Sequence, residues 1–148
     1  MTTRRLGIAL SLWSLAFACV HVAWGMGWRG GLPDDFAPIS ERPWFLAYDL
    51  LAGALMYGAA MVALLIARGR ATPALLRATI VGSALALLRG LPALGWDVGA
   101  GEFTGVGFGA DVWFTVAGLL GLALARSARR TAPPNDSGQQ HQAAGSWQ

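Results

Sequence analysis

Four long apolar stretches alternate with short polar segments along this chain: Leu6–Met26, Trp44–Ala67, Ala74–Trp96 and roughly Gly105–Ala125. Each is about 21–24 residues long, the length at which an α-helix crosses a ~30 Å hydrocarbon core. None alternates apolar and polar positions with period two, and Ala, Leu and Gly dominate, so strands are not expected. The pattern predicts an all-α integral membrane four-helix bundle built of two antiparallel hairpins. Residues 1–130 form one four-span domain in this reading. Residues 131–148, polar and rich in Pro, Gly and Gln, read as a disordered cytoplasmic tail that carries His141.

Each stretch holds one charged or imidazole side chain well inside it: His21, Asp49, Arg89 and Asp111. A charge within a span is costly and needs a partner. At 1.5 Å per residue, all four lie about 7–10 Å from the same end of their stretches, in one leaflet. They also share faces with small or polar residues. His21 goes with Ser11, Ser14, Ala18 and Gly25, Asp49 with Gly53, Ala60 and Ala67, and Asp111 with Thr115, Gly118 and Ala125. Arg89 borders the stripe Ala74, Ala78, Gly82, Ala86 and Gly90, a spacing that lets helix backbones approach. All four are therefore expected inside the bundle. Arg89 stays protonated and requires an anion, for which Asp49 and Asp111 are the candidates. Two aspartates against one arginine leave an excess negative charge. Protonation of His21, a bound cation or one protonated aspartate balances it, which argues for a ligand site. The alternative is an ion-pair network that fixes which helix packs on which.

Arginine sets the orientation. The chain has no lysine. Arg4, Arg5, Arg68, Arg70, Arg77, Arg126, Arg129 and Arg130 gather on one side, while Asp34, Asp35, Glu41, Asp97 and Glu102 gather on the other. That asymmetry predicts both termini in the cytoplasm. The composition, 55% hydrophobic and 13% charged where soluble domains carry about 25%, excludes a separate soluble catalytic domain. The net charge of +3 reads as topology and attraction to anionic lipid, with no nucleic-acid partner.

Other features rank lower. The first stretch imitates a signal peptide, but it runs on past Ala18, as a retained anchor does. One cysteine, Cys19, excludes an internal disulfide. The turn Arg68–Pro73 is short, so spans two and three should be antiparallel neighbours. Pro92 should break the helical bond to Leu88 and leave an irregular segment beside Arg89. Trp24, Trp28, Tyr48, Trp96 and Trp113, with Trp44, cluster at the outer end, either as an interfacial aromatic belt or as the rim of a pocket. Trp44-Phe45 with Asp49, and Asp111 with Trp113-Phe114, hint that the two hairpins repeat one pattern.

The segment His21-Val22-Ala23-Trp24-Gly25-Met26-Gly27-Trp28 resembles the HxxWxxG-type signature that ends the first span in a family of small bacterial membrane proteins, catalogued as a domain of unknown function (number 3995). The resemblance covers roughly Leu6–Ala125 and rests on His21, Trp24, Gly25 and Gly27. Met26-Gly27-Trp28 departs from the family pattern, which has a further glycine there. The resemblance implies four spans, a Gly-rich outer loop and a bacterial inner membrane, and it implies no activity.

The functional expectation is a multi-pass membrane protein that binds or conducts a small solute, proton or lipid headgroup at the outer-leaflet cluster. The alternative is an accessory subunit of a larger membrane complex. Its partners are the bilayer and a second copy or another membrane protein. No cofactor or metal is expected, and the chain leans away from an enzyme, since no nucleophile or redox centre stands out.

Overall fold

The computed structural model describes residues 2–32, 38–101, 103 and 105–131, without the side chain of Val106. Asp34, Asp35, Glu102, His141 and the tail beyond Thr131 lie outside the described residues. Four long helices account for most of the chain: α1 (Thr3–Gly25), α2 (Pro43–Ala67), α3 (Pro73–Ala100) and α4 (Gly105–Thr131). A single 3-10 turn, Ile39–Glu41, precedes α2. All four helices are long and apolar enough to cross a membrane, and the described residues contain no strand.

Local chemistry accounts for the helix ends. Thr2 and Thr72 cap α1 and α3, their hydroxyls accepting from the amides of Arg5 and Leu75. Pro43 and Pro73 open α2 and α3, where a missing N–H costs nothing. Positive-φ glycines end the first three helices, Gly27 at 95°, Gly69 at 83° and Gly101 at 75°.

Two boundaries differ from the sequence reading. α3 runs on through Asp97 to Ala100 and ends at Gly101, which adopts the left-handed conformation at φ 75°. α4 continues from Ala125 to Thr131, because Arg126–Arg130 is polar yet favours helix. The helix is also continuous through Pro92, so the irregular segment expected beside Arg89 does not form.

α1 packs along α2, α3 packs along α4, and the two pairs meet mainly through α1 against α4. Neighbouring helices run in opposite directions. Gly7 sits against Ala63 and Ala67, whereas Gly25 sits near Leu46 and Asp49. Thr3 at the start of α1 shares a 2.7 Å hydrogen bond with Ser127 near the end of α4. A cluster of Leu6, Leu10, Ala63, Ile66, Leu124 and Ala128 fills this end of the bundle.

α2 and α3 face each other beyond their short turn without packing closely. They touch little, and an apolar groove of about 560 Å³ lies between them, floored by α1 and α4. The small-residue stripe of α3 does not pack on a helix over most of its length: Ala78, Gly82 and Ala86 line that groove. The buried face of α3 is Thr79, Ser83 and Gly90, turned toward α4. Large apolar side chains such as Leu12, Leu55, Leu88 and Leu91 point outward. In water such a surface would aggregate; in a bilayer it meets acyl chains.

Candidate functional site

The four ionisable residues form two separate pairs, one in each helix pair. His21 on α1 meets Asp49 on α2, Nδ1 to Oδ1 at 2.5 Å. Arg89 on α3 donates from Nη1 to Asp111 Oδ1 on α4, also at 2.5 Å. In both pairs the basic residue comes from the first helix and the aspartate from the second. Glycine shapes both contacts. Gly25 lies beside Asp49, Gly53 beside the His21 side chain, and a Cβ at Gly90 would stand 2.8 Å from the carbonyl oxygen of Asp111. A side chain at Gly90 would push α4, and Asp111 with it, away.

Burial separates the members. His21, Asp49 and Asp111 are 8%, 3% and 4% exposed. Arg89 is not interior as expected: its side chain is 52% exposed, with only Nη1 committed to Asp111. Its guanidinium lies 5.8 Å over the ring of Phe114, a cation–π contact. Two aspartates against one arginine do not share a single network, because each aspartate has its own partner.

Aromatic rings fill the space between the pairs. Trp113 stacks on Trp13 at 4.2 Å and on Phe17 at 5.0 Å. Phe17 in turn meets Phe114 and His21 edge-on, at 5.6 Å and 4.7 Å. Trp13 Nε1 donates to the carbonyl of Trp113, fixing α1 against α4. Trp13 and Phe17 are not among the site residues expected from the sequence. Their spacing, with Trp24 and His21, on one face of α1 was the available signal.

The aromatic residues named from the sequence divide into two groups. Trp24 is buried and donates from Nε1 to the carbonyl of Gly30, folding the following loop over the bundle end. Together with Trp28, Tyr48 and Trp113 it lines a cavity of about 470 Å³. Trp44 and Trp96, 88% and 76% exposed, stand away from it. His21 and Arg89 also line this cavity, while Asp49 and Asp111 do not. The carboxylates thus stand behind the bases and leave the cavity with basic and aromatic groups.

Among the described residues, Asp49 Oδ2, Trp113 Nε1 and Thr115 Oγ1 are buried without a hydrogen-bond partner. Of these residues only Trp113 lines the cavity. With Nδ1 of His21 held by Asp49, its other ring nitrogen is left to accept when neutral or donate when charged. Arg89 retains uncommitted N–H groups. The wall chemistry therefore favours a guest with hydrogen-bond acceptors and an apolar body. Among the described residues, no three His, Cys, Asp or Glu side chains come together as a metal site. No family model, curated protein or solved structure matches this chain.

Proposed function

We propose that this is a multi-pass protein of the bacterial inner membrane that binds a small acceptor-bearing solute in its outer half. In this reading the bundle is two antiparallel hairpins with both termini in the cytoplasm. The arginine asymmetry supports that orientation, as does the Thr3–Ser127 bond between the first and last helices. The bacterial setting rests on the resemblance carried by His21, Trp24, Gly25 and Gly27.

One observation carries the binding reading. His21 and Arg89 both line a 470 Å³ aromatic cavity, and their aspartates are turned away from it. A site made only for helix packing would hide the guanidinium, yet half of Arg89 stays open. The guest places a carboxylate or carbonyl group against Arg89 and His21 and its apolar body among Trp24, Trp28 and Trp113. Asp111 holds the guanidinium in place, and Asp49 orients the imidazole, so both aspartates position the binding groups.

Benzoate is the simplest probe of this chemistry. Its titration should quench the intrinsic tryptophan fluorescence saturably, and Arg89→Gln should weaken binding at least about tenfold, the loss expected for a charge-assisted hydrogen bond. Equal binding by wild type and Arg89→Gln would sink the proposal.

A second reading keeps support of its own. Each ion pair joins one helix to its neighbour, as expected if the charges specify packing within a larger membrane complex. Joint replacement Arg89→Leu with Asp111→Leu separates the two readings. The packing reading predicts a folded bundle that still assembles with its partner, and the binding reading predicts loss of the solute.

A further inference from the structure

The groove between α2 and α3 belongs to the other half of the bundle. Ala54, Gly58 and Val62 of α2 face Ala78, Gly82 and Ala86 of α3 across it. These segments run from the middle of each helix toward the α2–α3 turn. Ser14 and Ala117 lie at its base. Two of the hydroxyls near the groove are already used: Thr79 donates to the carbonyl of Leu75 at 2.8 Å, and Ser83 to that of Thr79 at 2.6 Å. At Gly58 and Gly82 an added Cβ would meet nothing within 4 Å, so the groove is open there.

The groove has a volume of about 560 Å³. A methylene takes about the ~30 Å³ of a water molecule, so the same space holds on the order of 18 methylenes, one acyl chain. Charge selects the headgroup. The turn that closes this end of the groove carries Arg68 and Arg70, and Arg77 follows one turn into α3, directly before Ala78 of the groove wall. All three arginines are exposed, and this end of α2 and α3 has no acidic side chain. We infer that the groove is a binding site for one anionic phospholipid, its acyl chain between α2 and α3 and its phosphate against the Arg68–Arg77 cluster.

The groove adjoins the aromatic cavity at Phe114, which lines both, but shares none of its other lining residues, and the test keeps the two apart. The full chain is reconstituted in nanodiscs of equal phosphatidylglycerol and phosphatidylcholine, released, and weighed by native mass spectrometry. One retained phosphatidylglycerol per chain is expected, favoured over phosphatidylcholine at least about fivefold. Arg70→Gln with Arg77→Gln should remove the headgroup preference, and Gly82→Leu, which fills open space, should remove the lipid. Arg89→Gln should leave it in place. Equal retention of the two lipids would overturn the inference. So would a preference that survives the arginine changes, or a protein dimer that Gly82→Leu abolishes. Failure of the double arginine variant to insert would leave Gly82→Leu and the lipid mixture to decide.

Discussion

The two ends of this bundle are built on opposite plans. At the arginine-rich end the contact between α1, α2 and α4 is aliphatic apart from the Thr3–Ser127 bond: Leu124 is fully buried, Ile66 and Ala63 nearly so, and Gly7 brings α1 against the backbone of α2. At the other end the helices are held by two ion pairs and a stack of aromatic rings, and a cavity remains among them. In lipid there is little hydrophobic force between helices, so close van der Waals packing supplies the association at the first end. The second end uses directional bonds instead, which hold helices together while leaving room. The difference teaches where packing and openness separate: one end is filled, and the other keeps the cavity to which the proposed recognition is assigned.

The largest effect should come from breaking the close approaches. Gly90→Val would drive a side chain into the Asp111 carbonyl and the Thr115 amide, separating α3 from α4. A loss of about 3 kcal/mol or more is expected, since backbone cannot yield as a side chain does. Thermal unfolding in detergent checks it, with Gly82→Ala as the control that should change little. Leu124→Ala should follow, with a loss of about 2–5 kcal/mol from an unfilled cavity and unchanged benzoate affinity in the molecules that remain folded. If Leu124→Ala weakened binding as much as stability, the two ends would not be separate.

Subtler changes sharpen the contrast. Trp113→Phe keeps a ring between Trp13 and Phe17 but removes the unpartnered indole N–H. Benzoate affinity should fall severalfold, by about 1 kcal/mol, with little change in unfolding temperature. The reverse pattern would make Trp113 a packing residue only. The smallest effect belongs to Thr115→Val. Its hydroxyl is buried without a partner, so the isosteric methyl should leave stability within about 1 kcal/mol of wild type or raise it. A clear loss in calorimetry would mean that Thr115 Oγ1 has a partner such as water.

Much of this was legible in the sequence, for definite reasons. Four spans follow from apolar length alone, and the inward positions of His21, Asp49 and Asp111 follow from the small residues that share their faces. The pairing was not legible: Arg89 had two candidate aspartates, and only the packing of α3 on α4 assigns it Asp111. Nor was the packed face of α3. Ala78, Gly82 and Ala86 looked like the interface, yet Thr79 and Ser83, one residue over, close on α4 together with Gly90, the last member of the stripe. Small residues permit close approach at either position without choosing between them. Helix ends drifted because hydropathy reads the bilayer, whereas Asp97 and Arg126–Arg130 are polar residues in helical backbone. The aromatic residues divided by direction, which one-dimensional spacing near a helix end does not fix.

The most direct test of the two-ended account is native mass spectrometry of the full chain purified in a mild detergent, wild type beside Arg89→Gln. The account predicts a small-molecule mass bound one to one to the wild type and missing from Arg89→Gln, with both proteins equally folded. A wild-type protein that carries no such mass and gains none from millimolar benzoate, or a bound mass indifferent to Arg89, would contradict it.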